Sequence, residues 1–201
     1  MEGGGGKTCI RLFIADKIII VVHELILIII PILFAGLTFI YYLRWNKISL
    51  LNTPLDMGLK INGKRIFGEN KTLKGPIFMS IFTAIYGYII FGIVQYKQTV
   101  YIDQLYSIRA FLLIGASYSL GELPNSFIKR QLGISPGLTP TKGLYYFFFR
   151  LFDTFDSLIV VGLLYYLFFH FSKLSIIISI LLGGIIHLLT DEFMKSLKLK
   201  K

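Results

Sequence analysis

With 201 residues, 55% of them hydrophobic and only 16% charged, and a mean hydropathy of +0.70, the chain is too apolar for a soluble globular domain and too short to carry one beside its apolar runs. A net charge of +10 would suit nucleic acid on a soluble protein. Here the basic residues cluster beside apolar segments, which excludes nucleic acid as the expected partner and favours anionic lipid head groups and phosphorylated substrates.

Residues 1–17 are polar, contain a glycine run at positions 3–6, and read as a flexible leader. The lone Cys9 has no partner for a disulfide and no metal-ligand spacing. A secretory signal would need a short apolar core and a small-residue cleavage point. The chain instead continues into a first span over 18–43, long enough to cross a bilayer, with Pro31 predicting a kink. His23 and Glu24 near its start read as the end of a helix reaching the interface.

The stretch from Arg44 to Gly75 holds seven basic residues, Arg44, Lys47, Lys60, Lys64, Arg65, Lys71 and Lys74, against only Asp56 and Glu69. That bias marks a cytoplasmic loop. Glycines 58, 63, 68 and 75 are interleaved with the cations and permit close approach of backbone to phosphate, with Lys71 and Thr72 supplying a charge and a hydroxyl. No Walker sequence is present.

A second span over 76–96 opens on Pro76, which suits a first helical turn. The third, over 108–121, is short for a hydrocarbon core of about 30 Å, a shortness compatible with packing against a second copy in a homo-oligomer. From Gly121 to Gly143 repeated glycines and prolines break the chain into turns around one short helix bearing Ser126, Lys129 and Arg130. The aromatic run 145–149 reads as an interfacial belt.

Arg150, Asp153 and Asp156 recur every third residue, which places them on one helix face directly before a fourth span over 157–171. Ionisable groups at a membrane boundary are expensive and need a partner or a job. The plain alternative is a self-satisfied patch in which Arg150 pairs with Asp153 and leaves Asp156 to water. Two carboxylates one turn apart otherwise suit a hard divalent cation, and the neighbouring lysines and arginines suit phosphate. Together they suggest nucleotide chemistry at a membrane surface.

A fifth span over 174–189 contains Gly183 and Gly184, which allow close packing of a neighbouring helix. His187, one turn before Asp191, reads as a packed or interfacial histidine. A basic tail ends with Lys195, Lys198, Lys200 and Lys201. The expected fold is therefore an all-α integral membrane protein of about five transmembrane helices with two functional cytoplasmic loops. Residues 18–201 would form a single transmembrane catalytic domain. If the loops after the first and third spans share a side with the tail, that side holds 15 of the 21 basic residues. The N-terminus is then outside and the C-terminus cytoplasmic, with both polar segments on one face of the cell membrane.

The elements PLDMG, GKRIFGENKTLKG, NSFIKRQLGISPG and DTFDS, in that order, resemble CDP-archaeol synthases and their bacterial relatives, and more distantly CDP-diacylglycerol synthases. The resemblance covers about 54–157. It implies a Mg²⁺-dependent cytidylyltransferase that joins CTP to a phosphorylated lipid alcohol and releases pyrophosphate. By position, Asp56 and Gly58 match a PxDxG element, and Lys71, Thr72, Lys74 and Gly75 match KTxRG. Ser126, Lys129 and Arg130 match SFxKR, and Asp153 and Asp156 match the paired acids. Two departures stand out: Glu122 occupies a place the family usually gives to aspartate, and Lys74 one it gives to arginine.

On this reading Asp153 and Asp156, with Glu122 as a third carboxylate, hold Mg²⁺ on the triphosphate, while Lys71, Lys129 and Arg130 hold phosphate oxygens. The nucleophile arrives ionised, so no histidine base is required, and neither loop contains one. The rivals are a transporter with a phosphate-recognising mouth and a scaffold whose basic loops bind lipid. The first predicts charges in mid-span and internal repeats, which this chain does not plainly show. The second leaves the Asp153/Asp156 pair without a cause.

Overall fold

The computed structural model describes residues 5–45, 50–95, 104–138 and 143–197. Residues 1–4 of the leader, Lys47, Lys142, Lys198, Lys200 and Lys201 lie outside them. Helix α1 (Gly5–Trp45) runs for 41 residues, about 60 Å at the helical rise. The leader expected to be flexible is thus helical from Gly5. No proline interrupts 5–17, and adding residues to an existing helix is far easier than starting one, so the span propagates backwards through Ile14 and Ile10.

Between α1 and α2 the polar loop is folded rather than open. Strands β1 (Lys60–Ile61) and β2 (Lys64–Arg65) pair antiparallel across a two-residue turn, Asn62-Gly63, whose φ values of 51° and 77° give the mirror-image turn that matches strand twist. A bridge between Pro54 and Thr72 closes its base, with the Leu55 amide donating to the Lys71 carbonyl at 2.7 Å and the Leu73 amide to that of Thr53 at 3.1 Å. Charge and glycine content predict no strands here, although Asn-Gly between extended residues is the local signal for one.

The remaining helices are α2 (Lys74–Gln95), α3 (Gln104–Leu120), α4 (Leu123–Gln131), α5 (Gly143–Phe169) and α6 (Lys173–Ser196). Four segments, Ile14–Leu43, Lys74–Val94, Gly143–Phe169 and Lys173–Ser196, are long and apolar enough to cross a membrane. Helix α3, at 17 residues, is the short fifth member. The fourth span differs most from expectation: it begins at Gly143, not 157, because nothing after Gly143 breaks a helix. Arg150, Asp153 and Asp156 therefore lie inside the first half of α5.

Helix α2 packs on α1 and α3, α3 on α5, α5 on α6, and α6 returns to α1, closing a ring of five. Its core is Phe111 and Ile114 from α3 with Val161, Tyr165 and Phe169 from α5, against Leu27 and Ile28 of α1. Phe111 and Tyr165 meet edge to face at 6.4 Å, an orientation their ring quadrupoles favour. The buried Tyr165 hydroxyl donates to the Leu27 carbonyl at 2.8 Å, so no polar atom is left stranded there. Where α2 and α3 cross, a Cβ on Gly115 would strike the Met79 carbonyl, and only glycine lets the two backbones come so near.

Candidate functional site

The site is assembled from three segments far apart in sequence: the 53–73 loop, α4 and the first half of α5. In the loop, Asp56 is the hub. Its carboxylate accepts from Arg65 Nη2 at 2.5 Å and Nε at 3.1 Å, and from the amides of Gly58, Phe67 and Gly68 at 3.0–3.1 Å. The Arg65 guanidinium, helped by those amides and opposed by burial, holds its carboxyl well below the usual carboxylate range. Gly58 takes φ 84°, which turns its amide back onto this carboxylate. With its lone pairs so occupied, Asp56 fixes the shape of the loop that carries Lys71.

Pro124 opens α4, nine residues long, in a position where its missing N–H costs nothing. Asn125, Ser126, Lys129 and Arg130 are all buried, on the side that meets α5. Lys129 Nζ donates to both oxygens of Asp153 at 2.5 and 2.6 Å and lies 5.6 Å from the Phe149 ring centre. Asn125 Nδ2 donates to Asp153 Oδ1 at 2.7 Å and to Asp156 Oδ2 at 3.3 Å, so one amide ties the two acids together. Asn125 stands one turn before Lys129 in the same short helix, and that i, i+4 spacing is the signal by which sequence reasoning could find it.

Lys71 completes the assembly from above with a hydrogen-bonded ion pair to Glu122 at the start of α4. Burial depresses its ammonium, but Glu122 first, then Asp156 and Asp153, outweigh this and raise its pKa. Glu122, Asp153 and Asp156 are thus gathered around one lysine. Gly121 is required for that closeness: a Cβ there would sit 2.9 Å from the Ser157 Cα of α5.

Arg130 is buried, yet its Nε and Nη1 have no hydrogen-bond partner. Burial pulls its pKa down while Asp153 pulls the other way. A buried guanidinium with donors unused is costly, and an anion would satisfy it. Arg150 does not pair with Asp153 as the self-satisfied patch required; its Nη2 lies 3.8 Å from Glu192 of α6. Lys74 is buried with its ammonium 5.8 Å from the Tyr42 ring centre, towards α1.

Lys71, Thr72, Gly75 and Glu122 also line a cavity of about 300 Å³ that continues between α1 and α6. Its deeper walls are apolar, among them Ile28, Ile32, Val161 and Ile180. Tyr118 of α3 and His187 of α6 face it too, and sequence alone singles out neither for the site, because both positions lie outside every motif. Among the described residues, no three His, Cys, Asp or Glu side chains make a ready-made metal cage. Glu122 is paired with Lys71 and Asp153 with Lys129, while Asp156 accepts from Asn125 Nδ2 and from the Ser157 amide.

Membrane-length helices around three carboxylates and three cations, Lys71, Lys129 and Arg130, define a multi-pass membrane protein equipped to handle phosphate. The chain belongs to the CDP-archaeol synthase family: the family model described as CarS-like, CDP-archaeol synthase, matches residues 29–201. A CDP-archaeol synthase of Pyrobaculum aerophilum is 30% identical over 160 residues, covering 79% of this chain and 83% of that one. One from Pyrobaculum islandicum is 30% identical over 157 residues, 78% and 84% of the two chains, and one from Thermofilum pendens 32% identical over 148, 69% and 59%. No solved structure matches the chain. Membership makes it a CTP-dependent cytidylyltransferase that forms a CDP-lipid, and nothing favours the transporter or the scaffold.

Proposed function

We propose that the cluster formed by the 53–73 loop, α4 and α5 is where a lipid phosphate attacks CTP, and that an archaeol-type ether lipid phosphate is the substrate, as the names of the relatives suggest. The observation that carries the reading is the convergence itself: Asn125 and Lys129 on Asp153 and Asp156, and Lys71 on Glu122. A lipid phosphate oxygen forms the new bond to the α-phosphorus of CTP. The bond from that phosphorus to the β-bridging oxygen breaks, and its electron pair leaves on pyrophosphate. The attacking oxygen is already ionised, so no proton has to move and no histidine base is involved.

Two anions repel as they meet, and the chain's own cations offset this. Lys71, Lys129 and Arg130 hold phosphate oxygens, the unused Nε and Nη1 of Arg130 supporting this role most directly. Thr72 and Gly75 border the cavity beside Lys71, Ser126 is buried in α4 between Asn125 and Lys129, and Asp56 and Gly58 keep the loop in shape. Asp153 and Asp156 fit Mg²⁺, which is usually held by one or two carboxylates with substrate phosphates and water supplying the rest, and Glu122 is the nearest further acid. When bound, the ion neutralises triphosphate charge. The apolar cavity between α1 and α6 takes the hydrocarbon chains. The basic bias places this end in the cytoplasm, with the N-terminus outside and the C-terminus inside.

The test is CTP-dependent CDP-lipid formation in detergent by Asp153→Asn and Asp156→Asn. Each should lose at least about 100-fold in rate, as expected for ligands of a catalytic ion, and should need more Mg²⁺ for half-maximal rate. Near-normal turnover in both would remove the metal assignment.

A further inference from the structure

Along α6 one stripe faces the cavity at helical spacing, and its polarity changes in order: Ile180, Gly183, His187, Asp191. Helices α5 and α6 run antiparallel, Gly183 lying against Leu158, Gly184 against Phe155 and Glu192 near Arg150, so the polar half of the stripe runs alongside the turns of α5 that carry the reacting cluster and the apolar half lies deeper. His187 sits at the changeover. Its Nδ1 is 3.4 Å from the Tyr118 hydroxyl and its Nε2 3.8 Å from Asp191 Oδ1, with 16% of its side chain exposed. Tyr118 in turn stands four residues before Glu122, the partner of Lys71. Hence one wall of the cavity passes from Lys71 and Glu122, through Tyr118 and His187, to bare hydrocarbon.

A lipid phosphate has the same order of groups: a charged head, then the oxygen atoms linking its chains to a three-carbon backbone, then hydrocarbon. We infer that His187, with Tyr118 against it, binds the lipid substrate at those linkage oxygens and sets how far the phosphate reaches towards the cluster. This rests on the α1/α6 cavity being the lipid site. With the Tyr118 hydroxyl donating to Nδ1, the imidazole N–H is on Nε2, and that donor is the one offered to an ether or ester oxygen. Ser119, Ser179 and Thr190 also line the cavity, and Ser179 and Thr190 give their hydroxyl protons to the Ile176 and Ile186 carbonyls of their own helix; the His187 donor distinguishes a linkage oxygen from a methylene, because only the oxygen satisfies it.

The experiment measures CDP-lipid formation by the full chain in mixed micelles, varying lipid phosphate and CTP separately, and also measures inhibition by a long-chain alkyl phosphate that has no linkage oxygens. His187→Ala should raise the apparent KM for lipid phosphate about five- to tenfold, with the KM for CTP within about twofold and the inhibition constant of the alkyl phosphate unchanged. His187→Gln, which keeps a side-chain N–H, should recover most of the loss, and Tyr118→Phe should show a smaller loss of the same kind. An unchanged lipid KM in His187→Ala overturns the inference. So does an equal weakening of lipid and alkyl phosphate, which would make His187 a contact to phosphate or a packing residue. If His187→Ala does not fold, Tyr118→Phe and His187→Gln decide between the same outcomes. Failure of the wild-type protein to form any CDP-lipid is a separate result, and it sinks the activity rather than the role of His187.

Discussion

At the scale of single residues, Asp56 shows how one carboxylate can organise a whole loop through the hydrogen bonds it accepts. Five hydrogen bonds converge on it from Arg65 and three backbone amides. Asp56→Ala should therefore loosen residues 53–73 by about 2–3 kcal/mol, since Arg65 and the amides lose their acceptor; amide exchange in the loop would reveal it, and unchanged protection would refute it. The pH dependence has a definite sign. A depressed carboxyl pKa contributes stability that is present above the unfolded value of about 4 and is lost as pH falls through the folded one. The raised Lys71 pKa contributes below an unfolded value of about 10.4 and is lost only as pH rises through its folded value. Loop protection should accordingly be flat between about pH 5 and 10 and fall off outside that window. A midpoint near neutrality would show that some other group governs the loop.

At the scale of elements, α4 is too short to be stable alone and owes its place to polar contacts. Asn125 and Lys129 fasten it to α5, and Lys64 Nζ donates to the Gln131 carbonyl at 2.5 Å, joining its end to the hairpin. Replacing Asn125 by Leu keeps the volume and removes the amide that ties Asp153 to Asp156. Turnover should drop roughly ten- to a hundredfold, as when a ligand-orienting neighbour is lost. Activity within about twofold of wild type would contradict this. The site is only partly legible in the sequence. The periodicity of Ser126, Lys129 and Arg130 marks a short polar helix, and the three-residue spacing of Arg150, Asp153 and Asp156 marks a helix face. The partner of Arg150 does not follow, because Glu192 is a local choice of α6 packing on α5 and leaves no trace in spacing.

At the scale of the whole molecule, ring closure makes the apolar cavity. Glu24 of α1 accepts from the Ser172 amide and from the hydroxyls of Ser172 and Ser175 at 2.8 and 2.5 Å, capping α6 from another helix and pinning α1 to α6 at the end away from the cluster. Glu24→Ala should lower stability by about 1–3 kcal/mol, read as an earlier melting transition in detergent, and no shift would mean that packing alone closes the ring. Gly36 offers the opposite experiment. It lines the cavity and a Cβ there meets nothing within 4 Å, so Gly36→Leu places a side chain in open space and improves helix propensity. Stability should hold or rise while the KM for a long-chain lipid phosphate increases severalfold. A normal KM would mean that the chains lie elsewhere.

By itself the sequence determined the membrane class, the main spans, the clustering of positive charge and four ordered elements that resemble one family. These are carried by local composition and periodicity, which neighbouring residues settle among themselves. Only the tertiary structure decided which charge meets which: Asp56 with Arg65, Lys129 with Asp153, Arg150 with Glu192, and His187 with Tyr118 beside the cavity. The reason is that a buried polar group takes the partner nearest in space, and in a ring of five helices that partner can stand 69 residues away in sequence, as His187 does from Tyr118.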